Sequence, residues 1–252
     1  AVVAADHALQ LRKRFAPDDA YQQAASRKNL ADVQGVVGDL PASTRNYEEA
    51  LVVLARLPSP DEGMRSTTIG AYTGLCKVLI MQKLHARALQ CARDGLAYAD
   101  ARKDPSLEQD RVNLLIDKSV SQRMLGRVDG VEADMRQAIA INERLLGKDS
   151  PEVGTNYWQL GEALNQLGRH PEALDAFRHS EAILKAGKPV PGQLATAYRG
   201  MGVAWQELGN RARATESYQR ALADLGNPQT PRLQALKSEI QAVLAAQESE
   251  TR

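Results

Sequence analysis

The stretch that decides the fold is Tyr157-Trp158-Gln159-Leu160-Gly161-Glu162-Ala163-Leu164, followed by Leu167-Gly168-Arg169 and then Ala173, Phe177 and Ser180. A second copy lies downstream with identical internal spacing: Tyr198, Met201-Gly202, Trp205, Leu208-Gly209-Asn210, Ala214, Tyr218 and Ala221. Ala173, Phe177 and Ser180 stand at i, i+4 and i+7, one face of a helix. A small–large–small face accepts the ridge of a partner helix, and the Leu160-Gly161 pair puts a small residue where that partner must come close. Gly168 and Gly209 stand where a first helix would end in a left-handed residue. The unit is therefore a helix pair, repeated.

Working outward gives three more beats. Leu75-Cys76, Leu79, Ala88, Ala92 and Gly95 form one, and Leu115, Ser119, Leu125-Gly126-Arg127, Val131, Met135 and Ala138 another. Leu30-Ala31, Val37-Gly38-Asp39, Ser43, Tyr47 and Ala50 form the first. The slot of Ala173 is held in turn by Ser43, Ala88, Val131, Ala173 and Ala214, at intervals of 45, 43, 42 and 41 residues. In the second repeat Lys83-Leu84 replaces the glycine between helices, and in the third Lys118 and Gln122 fill slots that are apolar elsewhere. Between repeats come stop-and-start signals. In Gly147-Lys148-Asp149-Ser150-Pro151 the glycine closes one helix, the serine caps the next and the proline opens its first turn. Pro17-Asp18-Asp19, Asp104-Pro105-Ser106 and Asn227-Pro228-Gln229-Thr230-Pro231 play the same part, and the break from Gly187 to Gly192 is the longest.

These residues resemble the tetratricopeptide superfamily, in its long version of ~42 residues like that of kinesin light chain, against 34 for the basic repeat. Ala140-Ile141-Asn142-Glu143-Arg144-Leu145-Leu146-Gly147-Lys148-Asp149-Ser150-Pro151-Glu152-Val153 is very similar to that version's linker. The Val33-Gln34-Gly35 and Gly38-Asp39 signature is also similar to repeat regions of bacterial signalling proteins. The resemblance implies an all-α, right-handed superhelix of five helix pairs with an extra helix at each end. Residues 1–252 are read as a single array: a half repeat at 1–16, repeats at 24–57, 69–100, 112–146, 154–186 and 195–226, and a capping helix at 230–247. The stretch from Ala1 to Phe15 aligns with Val131 to Leu145. It is expected to place Leu9, Leu11 and Phe15 on the first full repeat, and Ala1, Ala5 and Ala8 in inward slots that lack a preceding first helix and leave a modest exposed patch. Starting on an unpaired second helix, the chain is expected to be part of a longer protein. Leu233, Leu236, Ile240, Val243 and Leu244 are the expected apolar stripe of the last helix, and the charged tail from Gln247 is expected to fray.

In this superfamily the first helices line a concave groove that binds extended peptides or partner helices. The resemblance carries that role to Lys28 and Asp32, Lys77 and Met81, and Arg123. In the later repeats it falls on Trp158, Glu162 and Asn165, then Arg199 and Gln206. Trp and Arg are the types that most often dominate binding energy. The competing reading is solvated helix surface, with Trp158 half-buried against a neighbour. Chaperone-binding members grip a terminal carboxylate with a Lys/Asn/Arg clamp; here Asp32 stands where an Asn would be needed and repels a carboxylate.

Composition excludes other classes. The formal charge is +1 over 252 residues with acids and bases mixed, so no basic stripe invites nucleic acid and no polybasic anchor invites membrane. No apolar run approaches the ~20 residues of a membrane span. His7, His85, His170 and His179 have no metal-ligand spacing, and no nucleophile–base set emerges. Gly200-Met201-Gly202 lacks the preceding strand of a phosphate loop and reads as close helix packing. Cys76 sits in a small-residue slot and reads as a packed thiol; Cys91, one residue before an inward slot, is expected to be partly exposed. A disulfide between their adjacent helices is the alternative. The expected function is a non-catalytic protein- or peptide-binding scaffold without cofactor or metal, as the regulatory module of a larger bacterial signalling protein. It would be cytoplasmic, or periplasmic if part of a membrane-anchored receptor. The alternatives are a ligand sensor that changes superhelix curvature, which needs a closed apolar pocket, and self-association through a terminal helix.

Overall fold

A computed structural model describes residues 1–58, 61–187 and 192–249. Among these the chain is all α-helical, with twelve helices and one short 3-10 turn at Pro105–Leu107. It divides into two compact units, residues 1–127 and 128–252.

The first unit holds α1 (Val2–Phe15), α2 (Ala20–Val36), α3 (Leu40–Leu54), α4 (Glu62–Met81), α5 (His85–Arg102) and α6 (Glu108–Met124). Each helix packs on the next, and α4 also touches α2 and α6, so these three lie side by side. The second unit repeats the scheme with α7 (Val131–Leu146), α8 (Pro151–Gln166), α9 (His170–Ala186), α10 (Gln193–Glu207), α11 (Arg211–Leu225) and α12 (Pro231–Ser249). Here α8 and α10 are the neighbours on one side.

The five slots at Ser43, Ala88, Val131, Ala173 and Ala214 are all fully buried, 0% exposed. One helical turn on, Tyr47, Ala92, Met135, Phe177 and Tyr218 are buried too. The reason for the small partners is visible at Gly161, where a Cβ would stand 2.6 Å from the Phe177 ring. A Cβ on Gly200 of α10 would meet the same ring edge, at Phe177 Cζ, so Phe177 packs against glycines of both α8 and α10. That accounts for Gly200 by packing.

The turns within pairs share one device. Asp39 N–H donates to Gln34 O (2.9 Å), Arg169 to Leu164 O (2.9 Å) and Asn210 to Trp205 O (2.8 Å). This six-residue bond closes each first helix over a left-handed residue, namely Gly38, Gly168 and Gly209. Asp39 and Asn210 then cap the next helix with their own side chains. In the second repeat the same bond, Leu84 N–H to Leu79 O at 2.9 Å, is made over Lys83, a non-glycine residue at φ 61°. Between pairs, Asp19 caps α2 and Ser150 caps α8 with Pro151 in its first turn. The Gly187–Gly192 break falls mostly on residues outside those described, as does the end of the tail.

Three expectations need correction. Cys76 and Cys91 form a disulfide between α4 and α5, with Cα atoms 5.7 Å apart. Cys91 is 7% exposed, because it shares the α4-facing stripe of α5 with Ala88, Ala92 and Gly95. On α1 only Leu9 is buried, while Leu11 and Phe15 are 41% and 71% exposed. Ala1 and Ala8 form the modest exposed patch expected of them, and Ala5 turns partly inward, in line with Leu9 one turn later. The last helix keeps its stripe: Ile240 is fully buried and Leu233, Leu236, Val243 and Leu244 are half-buried.

Candidate functional site

In the first unit, α2, α4 and α6 turn one row of side chains each toward a cavity of about 800 Å³. Lys28 and Asp32 come from α2, one turn apart. Thr73, Lys77 and Met81 follow on α4 at the same four-residue spacing, and Met81 is 53% exposed. The third wall is α6, with Asp110, Asn113, Ile116 and Asp117. Tyr47 enters from α3 through the gap left by Gly74, where any Cβ would collide with its ring.

Electrostatics divide this cavity in two. On one side Asp32 is saturated: Lys28 Nζ donates to it at 2.8 Å and Tyr47 Oη at 2.5 Å. Burial, then the Asp32 hydrogen bond and charge, push the Tyr47 phenol well above its usual range. On the other side, the carboxylates of Asp110 and Asp117 have neither hydrogen bond nor ion pair among the described residues. Burial raises both against the opposing pull of a lysine, Lys28 for Asp110 and Lys77 for Asp117, and Asp117 is pushed up to about 7. A lysine that does not reach bonding distance leaves the desolvation of a carboxylate largely unrelieved.

The second unit uses its inner residues differently. A smaller cavity of about 320 Å³ is lined by Glu162, Asn165, His170, Arg199, Val203 and Glu207. The Arg199 guanidinium donates to Glu162 of α8 (3.0 Å) and to Glu239 of α12 (3.2 Å). Asn165 donates to Gly200 O (3.0 Å) and faces His170 Nδ1 at 3.2 Å. Gln206 accepts from Tyr218 Oη (3.4 Å) and Gln247 Nε2 (3.2 Å). These side chains tie alternate helices together. Trp158 is half-buried on α8, and its buried Nε1 has no hydrogen-bond partner among the described residues.

Of the residues singled out by sequence, the structure brings Lys28, Asp32, Lys77 and Met81 around one cavity, and Glu162, Asn165 and Arg199 around another. Arg123, Trp158 and Gln206 line neither cavity. Sequence reading missed Tyr47, taken only as a packing residue, and Asp110, Asn113 and Asp117. The signal for the last three was their i, i+3, i+7 spacing on α6.

The fold and the sequence agree on a class of protein: residues 112–186 match the family model described as tetratricopeptide repeat. Those residues carry tetratricopeptide repeats, and the fold of the chain is structurally close to the kinesin-light-chain-like kind. Its fold is similar to that of BtubC (BKLC) from P. vanneervenii, with a TM-score of 0.73, 19% identity, and 91% of this chain and 92% of that one covered. The TPR-like repeats of a putative kinesin light chain from Podospora anserina match with a TM-score of 0.65 at 17% identity, over 84% and 99% of the two chains. YrrB, described as a TPR protein with an unusual peptide-binding site, matches with a TM-score of 0.58 at 17% identity, over 93% and 97%. No helix of the described residues is long and apolar enough to cross a membrane.

Proposed function

We propose that this chain is a non-catalytic scaffold that binds an extended peptide segment of a partner protein along the inner face of α2, α4 and α6, and that it serves as a regulatory module in a larger bacterial signalling protein. The observation that carries the reading is the 800 Å³ cavity of the first unit, walled by three successive first helices. Its lining mixes exposed Met81 and Val36 with two lysines and three aspartates. An extended chain can satisfy such a row, with main-chain groups and side chains meeting different walls, whereas a compact apolar ligand would leave the charges unpaired. The peptide-binding site attributed to YrrB supports the same use of a related fold.

The test is affinity capture with the whole chain, comparing wild type, Met81→Arg, Trp158→Ala and an outer-face control, Asp175→Asn. Met81 and Asp175 are both exposed, so these changes leave the core alone. A partner lost with Met81→Arg and kept with Asp175→Asn supports the reading, and Trp158→Ala reports whether the second unit shares the contact. Partners that survive Met81→Arg unchanged would refute it.

A further inference from the structure

Resting on the peptide-binding reading, we propose that Asp110 and Asp117 of α6 form a subsite for one cationic side chain, lysine or arginine, of the bound segment.

Charge arithmetic around the cavity gives two lysines against three aspartates. The groups facing it are Lys28 and Asp32 from α2, Tyr47 from α3, Lys77 from α4, and Asp110 and Asp117 from α6; α5, packed behind α6, sends no side chain into it. Lys28 and Tyr47 are both committed to Asp32. Lys28, bonded to Asp32, pulls on Asp110 only from a distance, Lys77 likewise pulls on Asp117 from a distance, and neither lysine makes an ion pair with Asp110 or Asp117 among the described residues. Two carboxylates seven residues apart share one face of α6, with Asn113 between them as a neutral donor and acceptor. A guanidinium or ammonium entering between the two would meet acceptors on both sides and restore the charge balance. A carboxylate ligand, by contrast, would meet an excess of negative charge once Asp117 is ionised.

Such a cation favours ionised Asp117, so binding is coupled to loss of a proton. With the Asp117 carboxyl at about 7 in the free protein, about one molecule in eleven is ionised at pH 6 and about ten in eleven at pH 8. Apparent affinity scales with the competent fraction, which gives about a tenfold gain over that interval.

The probes are two nine-residue acetylated, amidated alanine–glycine peptides, one with a central arginine and one with the neutral isostere citrulline. They are titrated into the full chain with 13C-labelled aspartate side chains and followed by NMR. The expected result is that the arginine peptide alone moves the carboxyl signals of Asp110 and Asp117. It should lower the titration midpoint of Asp117 and bind about tenfold more tightly at pH 8 than at pH 6. Asp117→Asn should remove that pH dependence, while Asp175→Asn should retain it. Equal shifts from both peptides would sink the cationic subsite and leave the groove reading intact. Shifts confined to outer-face aspartates, or none from either peptide, would also overturn the subsite; the groove itself is judged separately by Met81→Arg.

Discussion

Filling the slot of Gly161 isolates the packing rule on which the repeat is built. Gly161→Ala adds one methyl group in the middle of α8, 2.6 Å from the Phe177 ring against an ordinary carbon contact of ~3.5–4.0 Å. The ring has little room to retreat by that ~1 Å, because its Cζ and Cε1 are also packed closely against Gly200 of α10. Overpacking of this kind costs about 1–3 kcal/mol, while replacing a mid-helix glycine by alanine returns about 0.5–1 kcal/mol. The balance is a net loss of about 0.5–2 kcal/mol. Urea unfolding of the full chain, followed by far-ultraviolet circular dichroism, should show a lower midpoint with an unchanged slope. Phe177→Leu removes the colliding ring edge, so the double variant should be more stable than the two single losses predict, by at least ~0.5 kcal/mol. A stabilised Gly161→Ala, with no coupling to Phe177→Leu, would show that helix propensity rather than contact governs the site and that the slot assignment is wrong.

Other perturbations test separate parts of the argument. Lys83→Gly should raise stability by about 0.5–1 kcal/mol, seen as a higher urea midpoint, because left-handed strain of ~1–2 kcal/mol is relieved and only part is returned as unfolded-chain entropy; a lower midpoint would contradict the strain. Reducing the Cys76–Cys91 bond, 15 residues apart, should destabilise by about 3 kcal/mol from loop entropy, and the unreduced, denatured chain should show no free thiol. Asp117 holds a proton in the folded chain up to about pH 7, whereas its ordinary value is 3.8. Between those values the folded state binds more protons than the unfolded state, so stability should fall as pH rises through the window and level off above it. Asp117→Asn should flatten that fall and raise the midpoint at pH 8; a wild-type stability that rises from pH 5 to 7, with no change in slope on substitution, would exclude the buried carboxyl.

The small slots were legible because only a few side chains fit between helices that nearly touch. Ser43, Ala88, Ala173 and Ala214 recur for that reason, and all are fully buried. Glycines at helix ends were legible for a backbone reason, and Lys83 shows that the conformation persists where the glycine does not. Asp110 and Asp117 were not legible as a site. Polar residues at i and i+7 read the same way on a solvated face as on a cavity wall, and only the position of α4 separates the two. The cysteine pair failed on register. A one-residue rotation of α5 decides whether Cys91 faces solvent or Cys76, and helix periodicity does not resolve one residue. Arg199 could be placed on the inner face from its repeat position, but its engagement by Glu239 depends on a helix forty residues away in sequence.

The covalent link between α4 and α5 sets a direction on how the first unit can come apart. In a stack where each repeat rests only on its neighbouring repeats, opening starts at an end and advances like a zipper. Peeling that begins at α1, whose only buried side chain is Leu9, can pass through α2 and α3. It halts at the tethered pair, where the Cys76–Cys91 bond keeps α4 and α5 together even if their neighbours have lifted away. Amide hydrogens of α4 and α5 should therefore outlast those of α1 to α3 in exchange, and reduction should let the front run on toward α6.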